Sequence, residues 1–293
     1  MSMHAYMIIA HNQFELLEKL ILSLDDVRND IYIHIDAKAK DFDFEHFKSL
    51  TKHSKVVFTD ERMNITWGDF SQVKCEMVLL KTAVSNDNPE NQYTYYHLLS
   101  GADLPIKSND EIHRFFDENS GKEFIHYTDR SNPALAENRL RYYHFFRSRR
   151  NLLCKILAQL ALRVQKVFRV NRLKKSKIIP QKGCNWFSIT GELAHYTVDN
   201  LAEYENLFKF SYCGDETFIQ TVAENSPYKD NLFMPDCKND HFACVRLIDW
   251  ERGNPYIWRK EDYDIIKSSP CMFARKFDLS VDRKIIDELM EKR

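Results

Sequence analysis

The chain has 293 residues, 44% of them apolar, which is enough to bury one sizeable core. Its 42 Lys and Arg stand against 43 Asp and Glu, so the formal charge of −1 excludes a global drive toward nucleic acid or acidic lipid and leaves any basic surface local. Seven cysteines, at 75, 154, 184, 213, 237, 244 and 271, form no C-x-x-C pair, so a disulfide framework is not expected and a reducing compartment is the simpler reading.

In chain order, the N-terminal MSMHAYMIIAHNQFE has only a short apolar stretch, with no charged leader and no cleavage pattern. No window long and apolar enough to span a bilayer follows, so neither a signal peptide nor a transmembrane helix is predicted and the expected location is cytoplasmic. Ala5 to Ala10 reads as a strand, Phe14 to Leu24 as an amphipathic helix and Ile31 to Ile35 as a second strand. Lys55 to Phe58 predicts a further strand, Ser71 to Ser85 a helix after the turn-like Trp67-Gly68-Asp69, and Tyr93 to Leu99 a strand. Alternation on this scale predicts an α/β fold with a mostly parallel sheet covered by helices and ligands at the carboxyl ends of the strands. Ser108-Asn109-Asp110-Glu111 has the pattern of a capped helix start.

Residues 146–177 break this pattern with eleven Lys or Arg and no Asp or Glu, interleaved with Leu152, Leu153, Ile156, Leu157, Leu160, Leu162, Val164 and Val167. This is a basic amphipathic helical insertion. It either packs its apolar face on the domain with its basic face solvated, or lies on an anionic membrane surface. Asn185 to Thr190 then reads as a strand and Gly191 to Tyr204 as a helix. No repeat or linker appears, so one domain over residues 1–293 is expected. With seven glycines and no G-x-G-x-x-G or P-loop, dinucleotide and P-loop chemistry is disfavoured.

Several stretches bear chemistry. Asp36 ends a buried-looking strand where an α/β sheet opens toward ligand; it suits either a nucleobase N–H or ribose hydroxyl, or a helix cap. Asp103 lies in the Gly-containing turn Ser100-Gly101-Ala102-Asp103-Leu104-Pro105, which brings backbone near a ligand. Asp215 and Glu216 precede a helical run, a position that serves dipole stabilisation or a general base equally well. Arg246, and Arg275 with Lys276, set cations among apolar residues, where they pair with Asp249, Asp278 or Asp282 or neutralise a departing diphosphate. Cys237, His241 and Cys244 have no evident fourth ligand and match no usual zinc spacing. Asp41-Phe42-Asp43 is formally a D-x-D, but it follows the second strand rather than the central one, and no metal is assigned to it.

Taken in order, Tyr32-Ile-His-Ile-Asp36, Trp67-Gly68, Leu98-Leu-Ser-Gly-Ala-Asp-Leu-Pro-Ile-Lys107, Asp215-Glu216-Thr217, Ile248-Asp249-Trp250 and Phe273-Ala-Arg-Lys-Phe277 resemble the core-2/I-branching N-acetylglucosaminyltransferase and peptide O-xylosyltransferase family over about residues 5–285. The resemblance implies a GT-A fold, a UDP-sugar donor and an inverting, metal-independent displacement with no cofactor. Carried over, Glu216 is the catalytic base, Asp36 holds the uracil, Arg246 and Lys276 grip the diphosphate, and Asp103 lies in the donor cleft beside Trp67 and Gly68. Asp215, Arg275 and Trp186 are secondary candidates. The animal enzymes' disulfides and secretory anchor are not expected here, which suggests a bacterial relative, peripheral on the inner face of the cytoplasmic membrane. N-acetylglucosamine leads as donor sugar, with xylose or galactose behind it; the acceptor expected is a polyprenyl-linked glycan in surface-polysaccharide synthesis. A glycoside hydrolase and a non-catalytic glycan-binding module are the rival classes.

Overall fold

The computed structural model describes residues 2–90, 92–147, 151–174 and 176–291. Its strands are β1 (Met3–Ala10), β2 (Asn29–Ile35), β3 (Val56–Phe58), β4 (Tyr93–Ser100), β5 (Asp103–Pro105), β6 (Phe124–Ile125), β7 (Phe187–Thr190), β8 (Arg246–Ile248) and β9 (Phe273–Arg275). The helices are α1 (Phe14–Leu24), α2 (Phe44–Lys48), α3 (Phe70–Ser85), α4 (Asn109–Glu118), α5 (Ala134–Leu140), α6 (Leu152–Val167), α7 (Gly191–Asp199), α8 (Leu201–Phe208), α9 (Phe218–Glu224), α10 (Tyr263–Ser268) and α11 (Arg283–Glu291).

The main sheet has the order β3-β2-β1-β4-β7-β6. Its first four strands are parallel, and β7 runs antiparallel between β4 and β6. Parallel neighbours need crossover connections, and α1 and α3 supply them. Strands covered on both faces read as continuous apolar runs, as Ala5 to Ile8 and Ile31 to Ile33 do, all fully buried. One apolar cluster, with Leu16, Leu20 and Phe116, fills one side of the sheet, and another, with Leu79, Leu193 and Phe218, fills the other. The architecture is therefore the α/β arrangement the sequence predicts.

Three features depart from the sequence reading. A second sheet of order β5-β9-β8 joins the chain's last third to the turn after β4. The helix expected over Gly191 to Tyr204 is two helices that meet at Asn200. Within the basic insertion, α6 turns its small residues inward: Cys154, Ala158 and Gln165 are buried, and Gln165 exchanges hydrogen bonds with the Tyr143 backbone at 2.8 and 2.9 Å. Leu152, Leu153, Ile156, Leu160, Val164, Val167 and Phe168 all remain exposed. The alternative in which these large apolar residues pack on the domain is thus not the one adopted. Ser148, Arg149, Arg150 and Lys175 of the insertion lie outside the described residues.

Candidate active site

A cavity of about 760 Å³ opens where β1, β2 and β4 end. Residues just past each strand line it: His11, Asn12 and Gln13 after β1, Asp36 and Lys38 after β2, and Gly101 and Ala102 after β4. This is where a parallel sheet leaves its upward-facing backbone and strand-end side chains to a ligand.

Asp36 is 3% exposed and held from three sides. Its carboxylate accepts from the Lys38 amide at 2.9 Å and the Ile65 amide at 3.3 Å, with the Lys38 ammonium at 3.5 Å. A fixed acceptor of this kind suits a donor N–H or hydroxyl.

Trp67 lines the cavity and meets Tyr212 edge-on, with centroids 6.2 Å apart. Gly68 adopts φ +76°, and a Cβ on it would lie 3.0 Å from the Tyr212 ring, so glycine is required both for the turn and for the close approach. The Gly68 carbonyl accepts from the Cys213 amide at 3.1 Å, and the Gln72 side chain spans from the Gly68 amide to Asp215. These bonds bind the Trp67-Gly68 turn to the loop that carries Asp215 and Glu216.

Three carboxyls gather there, and their environments separate them. Glu76, on α3, is fully buried; burial pushes its carboxyl well above the usual range, and Asp215 adds to the effect. Asp215 is also raised, to about 6, by burial and then by Glu216, with Arg139 opposing. Glu216 alone reaches solvent, with 37% of its side chain exposed, and Arg139 holds it at 2.8 Å. An accessible carboxylate paired with an arginine, beside two buried carboxyls whose pKa burial raises, is an arrangement that suits general-base chemistry. Glu216 is not among the residues that line the cavity, whereas Glu76 and Gln72, which bonds the neighbouring Asp215, are.

Trp186, Arg275 and Lys276 also line the cavity. The Arg275 guanidinium lies 3.9 Å over the Trp186 ring and 3.5 Å from Asp103, which fixes it in place. Among the described residues no carboxylate lies in ion-pairing reach of Lys276, so its charge remains for a ligand.

Two expected site residues are elsewhere. Asp103 is 1% exposed and is not a wall of the cavity; its oxygens accept from the Ser100 amide at 2.8 Å and the Ser100 hydroxyl at 3.0 Å, which shapes the turn from below. Arg246 is buried inside the molecule, its guanidinium donating to the carbonyls of Leu98, Phe187 and Cys244 at 3.1, 2.8 and 2.6 Å and to the Ser188 hydroxyl at 3.0 Å. It braces the two sheets rather than facing a diphosphate. In the D-x-D, Phe42 is buried and Asp43 caps α2 through the His46 amide at 3.0 Å.

The family model for the Core-2/I-Branching enzyme matches residues 4–274. The chain belongs to this family. Among curated relatives, Xylosyltransferase 2 of Rattus norvegicus is 24% identical over 97% of this chain and 33% of that protein. Xylosyltransferase 1 of Mus musculus is 22% identical over 97% of this chain and 30% of that protein. The chain thus spans about a third of the length of these relatives. Mouse xyloside xylosyltransferase 1, in its apo crystal structure, shares 12% identity at a TM-score of 0.38 over 94% of this chain and 97% of that one, a likeness too loose to assign any residue.

Sequence reasoning passed over His11, Lys38, Gln72 and Glu76. Only Glu76 left a signal: an acid on the face of α3 that Val73, Leu79 and Leu80 otherwise keep apolar and buried.

Proposed function

We propose that this Core-2/I-Branching protein transfers a sugar from a UDP-sugar to a hydroxyl of a glycan acceptor, with inversion and without an obligatory metal. The observation that carries the reading is the cavity itself, lined by a locked carboxylate, Asp36, and by the cations Arg275 and Lys276, with the Glu216–Arg139 pair on the loop that Gln72 ties to it. In this reading Asp36 receives the uracil or ribose, and Lys276 with Arg275 offsets charge on the departing diphosphate. Glu216 takes the acceptor proton as the new C–O bond forms. N-acetylglucosamine is the proposed donor sugar, with xylose, which the names Xylosyltransferase 1 and 2 of the relatives support, as the alternative.

Calorimetric titration with UDP and a panel of UDP-sugars, in EDTA and then with manganese, tests this. UDP should bind in EDTA, and Lys276→Ala should weaken it by roughly tenfold or more, as loss of a charge-assisted contact predicts. Binding only with manganese would remove the metal-independent part; no binding of any uridine nucleotide would remove the transferase reading.

The proposed acceptor is a polyprenyl-linked glycan in bacterial surface-polysaccharide synthesis, met at an anionic membrane. What supports this is α6, whose outward Leu153, Ile156, Leu160, Val164 and Val167 share a face while Lys155, Arg163 and Lys166 point to solvent beside them. Such a helix gains from burying its apolar face among acyl chains and from about 1 kcal/mol per basic residue near anionic lipid. Vesicles with anionic lipid should sediment the protein, neutral vesicles much less, and a Leu153→Ser, Leu160→Ser double variant should lose most of the binding. Equal indifference to both vesicles would end the membrane proposal.

A further inference from the structure

Cys184 and Cys244 have their sulfurs 3.7 Å apart beneath the wall that carries Trp186. His126 and His241 stack beside them with centroids 4.3 Å apart and planes 6° from parallel. The Cys184 sulfur and one nitrogen of each ring lie within 4.8 Å of one another. A divalent metal is the first reading of such a group, and two observations oppose it. Imidazoles that ligate one tetrahedral ion point radially at it, so their centroids splay to roughly 5 Å rather than stacking face to face. The tautomers are also wrong. His126 Nδ1 accepts from the Cys184 amide at 3.0 Å and His241 Nε2 accepts from the Trp250 indole N–H at 2.9 Å. A neutral ring that accepts at one nitrogen carries its hydrogen on the other, whereas a metal ligand needs a bare inward nitrogen and an outward N–H.

His126 Nε2 and His241 Nδ1 therefore bear hydrogens, both are buried, and neither has a hydrogen-bond partner of ordinary geometry. The Cys184 sulfur is the acceptor within 4.8 Å of both rings, and it also lies 3.5 Å from the Trp186 carbonyl oxygen. We propose that Cys184 is held as a thiolate by these two N–H donors and forms, with Cys244, a peroxide-oxidisable pair. Burial pushes the Cys184 thiol up, but hydrogen bonds from Cys244, His126 and His241 outweigh it and hold it well below the usual range. Burial raises Cys244 well above, so that residue keeps its proton. The remaining titratable neighbours among the described residues are Glu76 and Arg246, of opposite sign when charged, with Cys237 and Cys271.

In the oxidation, the Cys184 thiolate attacks one peroxide oxygen, the O–O bond breaks, and the hydroxide released takes a proton from solvent to leave as water. The Cys244 sulfur then attacks the sulfenic sulfur as its proton passes to the departing hydroxide. A disulfide and a second water result, and peroxide has accepted two electrons. The sulfurs must close from 3.7 Å to about 2.05 Å. That movement reaches the cleft, because Asn185 and Trp186 follow directly and the Gly183 amide donates to the Glu216 carbonyl at 2.9 Å. Gly183 has no slack to absorb it: a Cβ there would sit 1.8 Å from the His126 carbonyl oxygen.

The test treats the purified full chain with hydrogen peroxide at several pH values and maps cysteines by mass spectrometry, beside zinc analysis of the untreated protein. A Cys184–Cys244 linked peptide should form at a rate almost flat between about pH 6 and 8, where an ordinary thiol near 8.5 would accelerate steeply. Cys244→Ser should stop at a sulfenic acid that a dione reagent traps. Trp250→Phe, at a half-exposed position, frees the His241 tautomer and should restore a steep pH dependence. Stoichiometric zinc, or a Cys184 still reduced after exposed methionines have oxidised, would overturn the proposal. These readouts stand apart from the proposed transferase, whose activity, where present, should fall on oxidation and return with a thiol reductant.

Discussion

Glu216→Gln is expected to lower turnover by roughly 10²–10⁴-fold, the contribution typical of a positioned general base, while UDP affinity changes by less than about twofold. The amide keeps the size of the side chain and a contact to Arg139 but cannot take a proton. Neighbouring acids offer no substitute. Asp215 is buried with its oxygen bonded to Gln72 at 2.9 Å, and Glu76 is buried with its carboxyl pushed up by that burial, so neither oxygen is exposed to an acceptor hydroxyl as that of Glu216 is. Single-turnover rates at saturating donor, compared with calorimetric UDP binding, separate the two quantities. A variant that turns over normally would take Glu216 out of the chemistry; loss of turnover in Glu76→Gln but not in Glu216→Gln would move the base to α3.

The β1-α1-β2 start and the α3-β4 unit were legible because their periods are local: continuous apolar runs for strands covered on both faces, helical spacing for the crossovers. The capping box at Ser108 and Glu111 is present in the structure for the same reason, since a cap is written in adjacent residues. The small β5-β9-β8 sheet was not legible. Its three-residue strands have no period to detect, and Asp103 meets Arg275 only through the fold. For α6 the sequence shows an apolar face but not which way it turns. Leu153, Ile156 and Leu160 are the larger stripe, yet the stripe of Cys154 and Ala158 lets the helix sit close to the domain. At the cleft, Asp36 and Lys276 line the cavity as motif order suggests, whereas Arg246 does not, because its partners Leu98 and Phe187 are distant in sequence.

That displacement yields a second large effect, on stability rather than on donor affinity. Arg246→Met is expected to destabilise the protein by roughly 3–5 kcal/mol, because a side chain of similar length fills the space but leaves buried carbonyls without donors. The three carbonyls belong to β4, to β7 and to the turn before β8, so one guanidinium ties the main sheet to the small one, its face packed 4.5 Å over the Phe273 ring. Lysine cannot replace the fork, since one ammonium cannot reach carbonyls arranged around a plane, and Arg246→Lys should recover only part of the loss. At this chain length such a change lowers the melting temperature by roughly 6–20 °C. Thermal melts, with UDP calorimetry at a temperature where the variant is still folded, read stability and ligand contact separately. A lower melting temperature with UDP affinity within about twofold is expected of a brace that touches no ligand. The reverse result, an unchanged melt with UDP affinity reduced tenfold or more, would mean that the guanidinium leaves its carbonyls for a phosphate when donor binds, and would return Arg246 to the diphosphate site.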